Sequence, residues 1–459
     1  MKQHITEQAT LFASVIKWSC YATLVGILVG VGTTIFLRTL AWTTTQVTHV
    51  PHHYLLLPLV ILISSALVKW LAPDAAGHGT EKVIEAVHKR MGKIPIAVIP
   101  VKLVATVITL AGGGSAGKEG PAAQIGAGLA SALSDLLRVE DIDRRKLVIC
   151  GISAGFATVF GTPVAGAIFG VEVLVLGQMF YDVLFPCFVA GIVSYHVALY
   201  LGGVYAHEVM PQIPVFSGWS LFEIIMLGVW CGLAALLLIE VMKLGEKFFG
   251  KLAWHWSFKA LLGGVLLIAI GKFISPNYLG LGLDTLSKGM HGEVISGGAL
   301  FWKSIATSIT LGSGGSGGVV TPIFFVGTAA GNLFAQLFSP EYLAAYSAIG
   351  MVALLAGAAN TPIAASVMAI ELFGNGIAPY AALACMVSYL IAGYRSIYPS
   401  QVLGSQKSSS LLAPTGKPMN EIGNVTLKTR EKSLVGLVHK IKKRNQQKKK
   451  EEAEASSMT

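Results

Sequence analysis

Residues 102–121 read KLVATVITLAGGGSAGKEGP, and residues 303–322 read KSIATSITLGSGGSGGVVTP. Laid on each other without gaps, eleven of the twenty positions are identical. A second pair follows in the same order: TPVAGAIFGVE at 162–172 and TPIAASVMAIE at 361–371 share Thr, Pro, Ala and a terminal Glu at the same steps. Two matched blocks in one order make the chain two homologous halves. In secondary transporters such halves often run in opposite directions, with the substrate site where they meet.

The first copy also opens like a P-loop, with Gly112, Gly117 and Lys118 in place. A P-loop then needs a hydroxyl to hold magnesium beside the phosphates, and here the next residue is Glu119. The second copy keeps most of the glycines but has Val319 and Val320 where the first has Lys118 and Glu119. Phosphate chemistry is therefore not the shared purpose. What both copies share is an apolar helix, a Gly-Ser turn and a new helix with Pro121 or Pro322 in its first turn, where proline is favoured. Such a helix start presents unpaired N–H groups and the positive end of a dipole. Two of them converging would hold a small anion without a full positive charge to trap it. The alternative use of these glycines is close helix packing.

The 459 residues are 53% hydrophobic and only 13% charged, about half the charged fraction of an average soluble protein. Apolar runs recur from end to end: Tyr21–Thr34, Leu55–Val68, Leu103–Ala111, Val183–Leu201, Ile224–Ile239, Ala260–Ile270 and Tyr380–Ala392. Several are shorter than the roughly 20 residues that cross a bilayer upright. With 52 Gly and 18 Pro, the expectation is an all-α integral membrane protein of tilted, broken helices. Backbone freed at membrane depth is tolerated where it lines a polar path. No small-residue cleavage site follows the first apolar run, which reads as a retained membrane segment. The five cysteines are scattered singly, so neither a metal site nor disulfides are expected.

The net charge of +10 is concentrated at 88–93, 143–146 and above all Lys428–Lys450, with ten Lys or Arg. The positive-inside rule makes these segments, and both termini, cytoplasmic. The basic tail reads as a solvated extension, or as a contact for anionic lipid headgroups. The divisions expected are an N-terminal segment 1–19, membrane repeats 20–205 and 206–405, and a basic polar tail 406–459.

At these residues the chain closely resembles the CLC family of anion channels and anion/proton exchangers. GKEGP (117–121), GGVVTP (317–322), AGHGTEKVIEA (76–86), GTPVAGAIFGVEV (161–173) and SIYPSQV (396–402) occur in the family's order, and the likeness spans about residues 10–405. The resemblance implies two inverted-topology repeats and a homodimer with one anion pathway per subunit. It makes Glu119 the gating glutamate, whose carboxylate occupies an anion site until protonation or displacement moves it. An ionisable residue in a membrane segment is functional by default. By the same resemblance, His78, Gly79 and the N–H groups of Gly120, Val319 and Val320 line the anion site. Tyr398 offers its hydroxyl there, or else serves as an interfacial aromatic.

The departures from the family pattern point to a branch. Chloride-handling members read G-S-G-I-P where this chain has Gly77, His78, Gly79, Thr80 and Glu81. Their G-R-E-G-P has Lys118 in place of arginine, and their G-x-F-x-P has Val320 in place of phenylalanine. The inner proton-relaying glutamate of the exchangers falls on Val173, which carries no proton. Together these resemble the fluoride-exporting sub-branch. His78 could donate a hydrogen bond or titrate, or turn aside to a backbone carbonyl. Thr321 offers a hydroxyl to a proton path, or caps its helix. Glu172 and Glu371 read as buried structural carboxylates. The 54 residues after Ser405 are too polar for a pair of CBS domains.

The expected function is fluoride/proton antiport gated by Glu119, in a multi-pass protein of the inner or plasma membrane. Chloride transport, coupled or passive, is the alternative. An ATP-driven enzyme is opposed by Glu119 and the repeat. No enzymatic activity, cofactor, metal or nucleic-acid partner is expected; the partners are fluoride or chloride, protons, the lipid bilayer and a second subunit.

Overall fold

The computed structural model describes residues 2–203, 205, 212–215, 217–423 and 425–428. The basic run from 429 onward, with its expected lipid contacts, lies outside the described residues. The first half holds α1 (Lys2–Thr48), α2 (Leu57–Leu71), α3 (Thr80–Lys89), α4 (Val98–Ala111), α5 (Glu119–Leu136), α6 (Asp141–Phe160), α7 (Pro163–Glu172) and α8 (Tyr181–Tyr200). The second holds α9 (Gly218–Lys251), α10 (Trp256–Phe273), α11 (Leu283–Met290), α12 (Ala299–Gly312), α13 (Val320–Phe338), α14 (Leu343–Ala359), α15 (Pro362–Phe373) and α16 (Ala378–Ile391).

The two sets of eight pair off in packing as well as in order. α1 packs on α8 as α9 packs on α16, α5 on α6 as α13 on α14, and α2 on α4 as α10 on α12. Seven of the described helices are long and apolar enough to cross a membrane. Others, among them α4, α7 and α15, are apolar but shorter. These are the partial helices that interrupted apolar runs predict. α13 and the helix after it are the most enclosed of the long ones, as befits the segments behind the glycine-rich turns. α1 runs unbroken across residue 19.

The halves are tied together by reciprocal bonds. Glu172, at the end of α7, accepts from the N–H groups of Ile363 and Ala364 at 3.1 and 2.8 Å. Glu371, on α15, accepts from those of Val164 and Ala165 at 3.0 and 2.8 Å. Each carboxylate thus satisfies the orphan donors at the other helix's N-terminus, where negative charge is also favoured by the dipole. This is the structural use read for both from the sequence, with Glu172 buried as expected and Glu371 only half-buried.

After α16 the chain returns to the first half. β2 (Val402–Leu403) pairs in parallel with β1 (Val175–Leu176), and β3 (Leu411–Leu412) pairs antiparallel with β4 (Thr426–Leu427). Leu176, Leu403, Ala413 and Met419 form a small core of their own. Lys407 Nζ is anchored on Asn360 Oδ1 and Tyr389 O at 2.7 and 2.6 Å. Lys407, Ala413 and Met419 therefore tie this segment to the body of the protein, although its composition is polar.

Candidate functional site

The two glycine-rich turns meet in a buried layer. Gly117 and Gly318 exchange backbone hydrogen bonds of 2.7 and 2.6 Å. Around them each bond has a counterpart in the other copy. Ser115 Oγ meets Thr307 Oγ1 and Ser316 Oγ meets Thr106 Oγ1, both at 3.0 Å. The N–H of Ser115 donates to Thr310 Oγ1, and that of Ser316 to Thr109 Oγ1. This twofold pattern is what two inverted repeats produce where they touch, and it brings the N-termini of α5 and α13 face to face.

Glu119, the first residue of α5, is 1% exposed. Its carboxylate crosses to the second half: Thr321 N–H donates to Oε2 at 3.1 Å and Thr321 Oγ1 donates to Oε1 at 2.5 Å. The threonine hydroxyl is thus used on the carboxylate and not to cap α13. The negative charge sits at the positive end of α13's dipole. In the repeat alignment Thr321 is the counterpart of Gly120, so the second copy supplies a hydroxyl where the first supplies bare backbone. Gly120, Val319 and Val320 stand at the helix starts, where N–H groups lack intrahelical acceptors.

The loop before α3 closes the same site. Gly79 has φ +79°, and a Cβ on it would collide with the carbonyl oxygen of Gly120; a Cβ on Gly120 would collide with that of His78. Both positions need glycine for the loop to lie against the start of α5. The His78 ring is buried, with Nε2 3.6 Å from Glu246 Oε1 and Nδ1 without a hydrogen-bond partner. Tyr398 is fully buried and its hydroxyl, beside that of Thr80, closes no hydrogen bond of ordinary geometry. Val173 is buried, its carbonyl tied to Gln401 Nε2 at 3.1 Å. On the other side, Lys118, Glu119, Phe160, Thr321 and Phe324 line a cavity of about 400 Å³. Glu119, Gly120, Val319, Val320 and Thr321 therefore stand at the two converging helix starts, with Gly79 and the His78 carbonyl against Gly120, while the His78 ring turns to Glu246. Among the described residues no cluster of three or more His, Cys, Asp or Glu is placed to hold a metal.

Two lysines escaped the sequence reading. Lys102 on α4, fully buried, donates from Nζ to the carbonyls of Ala75 and Gly77 at 3.0 and 2.8 Å. Lys303 on α12 does the same for Tyr278 and Gly280 at 3.3 and 2.7 Å. Each pins the loop that enters the short helix of its half. The available signal was an ionisable residue heading an apolar helix in both copies of the repeat.

The comparisons with known proteins agree with this geometry. Residues 59–393 match the family described as voltage gated chloride channel. The chain is 37% identical over 409 residues to a chloride/fluoride channel protein of Pseudomonas syringae pv. tomato, covering 87% of this chain and 90% of that one. The crystal structure of a CLC-type fluoride/proton antiporter superposes with a TM-score of 0.80 at 26% identity, over 84% of this chain and 98% of the other. A slow cyanobacterial Cl⁻/H⁺ antiporter shares the fold, with a TM-score of 0.71 at 22% identity over 82% and 94% of the two chains. With paired helix starts, a seated glutamate and these relatives, the chain belongs to the CLC family and is an anion transport protein of the membrane.

Proposed function

We propose that this protein exports fluoride in exchange for protons, with Glu119 as both gate and proton carrier. The observation that carries the reading is the seat of Glu119, whose oxygens are held by one N–H and one O–H at a helix start. Short, charge-assisted hydrogen bonds favour small, hard acceptors, and fluoride resembles a carboxylate oxygen more than chloride does. An arriving anion competes with the carboxylate for the same donors, and protonation of Glu119 releases them. The names of the Pseudomonas relative and of the fluoride/proton antiporter support fluoride as the ion. We further propose a homodimer with one pathway per subunit, in the inner or plasma membrane with cytoplasmic termini, acting without a cofactor and catalysing no covalent reaction.

The test is efflux from liposomes containing the purified protein, with proton movement recorded simultaneously. Fast fluoride efflux that drives protons uphill, with little chloride flux, is expected. Fast chloride flux with fluoride excluded would replace this reading with chloride transport.

The Thr321 hydroxyl has its own test. A hydrogen bond to a charged group contributes about 1.5–3 kcal/mol, roughly a ten- to hundredfold change in how firmly the carboxylate is seated. Thr321→Val is expected to lower proton flux per anion by about tenfold, and Thr321→Ser to restore it. Equal coupling in all three proteins would remove Thr321 from the proton path.

A further inference from the structure

Val173 leaves the side of the site away from Glu119 without the carboxylate that a proton needs on its way through. The replacement of G-S-G-I-P brings one in. Glu81, the second residue of α3, folds against the loop that carries Tyr398, and its Oε1 accepts from both the N–H (2.9 Å) and the hydroxyl of Ser400. This is the same donor set that holds Glu119, a backbone N–H and a hydroxyl from one residue on a facing segment. Glu81 Oε2 is buried and has no hydrogen-bond partner. The Tyr398 hydroxyl, two residues before Ser400, is also buried and unpartnered. The Thr80 hydroxyl lies next to Tyr398. Buried polar atoms left without partners are rare and call for a reason; here two sit on facing segments that the Ser400–Glu81 hydrogen bonds hold together.

We propose that Glu81 is the second proton-carrying carboxylate of this transporter, exchanging protons with Glu119 through the hydroxyls of Tyr398 and Thr80. The inference rests on the antiport reading. In the transfer, protonated Glu119 and ionised Glu81 become ionised Glu119 and protonated Glu81. Each hydroxyl passes on its own proton as it accepts another, so no charge or atom is gained.

The surroundings of Glu81 suit a group that gains and loses a proton. Lys82 and Glu85 on its own helix and Tyr398 on the facing loop are the titratable groups that act on it. Lys82 is engaged with Glu85 at 3.0 Å, and Glu85 also meets Lys89 at 3.5 Å. Among the described residues no lysine, arginine or histidine forms an ion pair with Glu81. α3 is not among the helices apolar enough to cross a membrane.

Fluoride and proton fluxes of Glu81→Gln, Glu81→Asp and the unaltered protein in liposomes test the proposal. Glu81→Gln is expected to keep fluoride flux within a few-fold while proton flux falls on the order of a hundredfold, and Glu81→Asp to recover much of the proton flux. Unchanged coupling in Glu81→Gln overturns the proposal. So does loss of both fluxes in Glu81→Gln and Glu81→Asp alike, which assigns the side chain to structure. If the unaltered protein moves fluoride without protons, the antiport reading itself fails, a result distinct from either.

Discussion

Glu119→Gln is expected to abolish proton transport, by a hundredfold or more, while anion flux continues. The amide has the shape of a protonated carboxyl group but holds no proton to release, so the exchange step is lost outright. The consequence for the gate follows from the donors around it. Glu119 Oε2 now accepts from the Thr321 N–H, and Oε1 from the Thr321 hydroxyl. In glutamine one of those oxygens becomes an NH₂ group, which only donates. If the amide oxygen faces the hydroxyl, the NH₂ faces the Thr321 N–H, donor against donor. The reverse orientation satisfies the N–H and turns the NH₂ to the hydroxyl, which can rotate to accept. One of two seats therefore survives, without the charge that the helix dipole favours. The side chain is held less firmly, and an anion enters more readily. Liposome fluxes read both effects: proton uptake at background and fluoride efflux at or above that of the unaltered protein. Retained coupled uptake would remove Glu119 from the role of proton carrier.

How much of this was legible in the sequence depends on what kind of atom each contact uses. The glycine-rich turns were legible because backbone held in unusual conformations needs glycine: Gly113 and Gly314, counterparts in the repeat, both have strongly positive φ, +97° and +108°. The prolines after them punctuate the helix starts in the same way. Glu172 and Glu371 were legible as a repeated terminal carboxylate, though not as partners of each other's helices. The repeat actually extends further than its identities show. Gly77 and Gly79 before α3 correspond to Gly280 and Gly282 before α11, all four with positive φ, yet His78 faces Leu281 in that alignment and Glu81 faces Asp284. Two glycines in a divergent stretch are too weak a signal to be aligned. The seats of Lys102 and Lys303 were invisible for a related reason. Their acceptors are backbone carbonyls, which every residue supplies, so no pattern of side chains marks them. Glu81 and Ser400 are more than three hundred positions apart, and only the fold brings them together. The anchoring of Lys407 was hidden by composition, since a polar segment gives no sign that this side chain will be drawn under Tyr389, 3.7 Å from its ring centroid.

Lys102→Met and Lys303→Met, compared side by side, are expected to separate what holds the fold from what shapes the anion site. Methionine fills nearly the same volume as the lysine stem, so packing changes little, but the donors at Nζ are lost. Each substitution leaves two carbonyl oxygens with no replacement donor, and a buried acceptor left unpaired costs about 1–3 kcal/mol. Both variants should therefore lose about 2–5 kcal/mol of stability, seen as a lower midpoint of thermal unfolding in detergent. Their effects on transport differ because the two loops carry different residues. Lys102 fixes Ala75 O and Gly77 O, immediately before His78 and the Gly79–Gly120 contact against which α5 begins. Released, that loop no longer holds Thr80 beside Tyr398 or Glu81 against Ser400. Lys303 fixes Tyr278 O and Gly280 O, before Leu281, in a loop that carries neither the Gly79–Gly120 contact nor Glu81. Fluoride flux per correctly folded molecule should fall about tenfold or more in Lys102→Met, the size of change that a small misplacement of positioning groups produces, and only a few-fold in Lys303→Met. Equal losses of flux in the two would mean that the lysines serve the fold symmetrically. In that case the asymmetry of the site arises from the side chains at 119 and 321 alone.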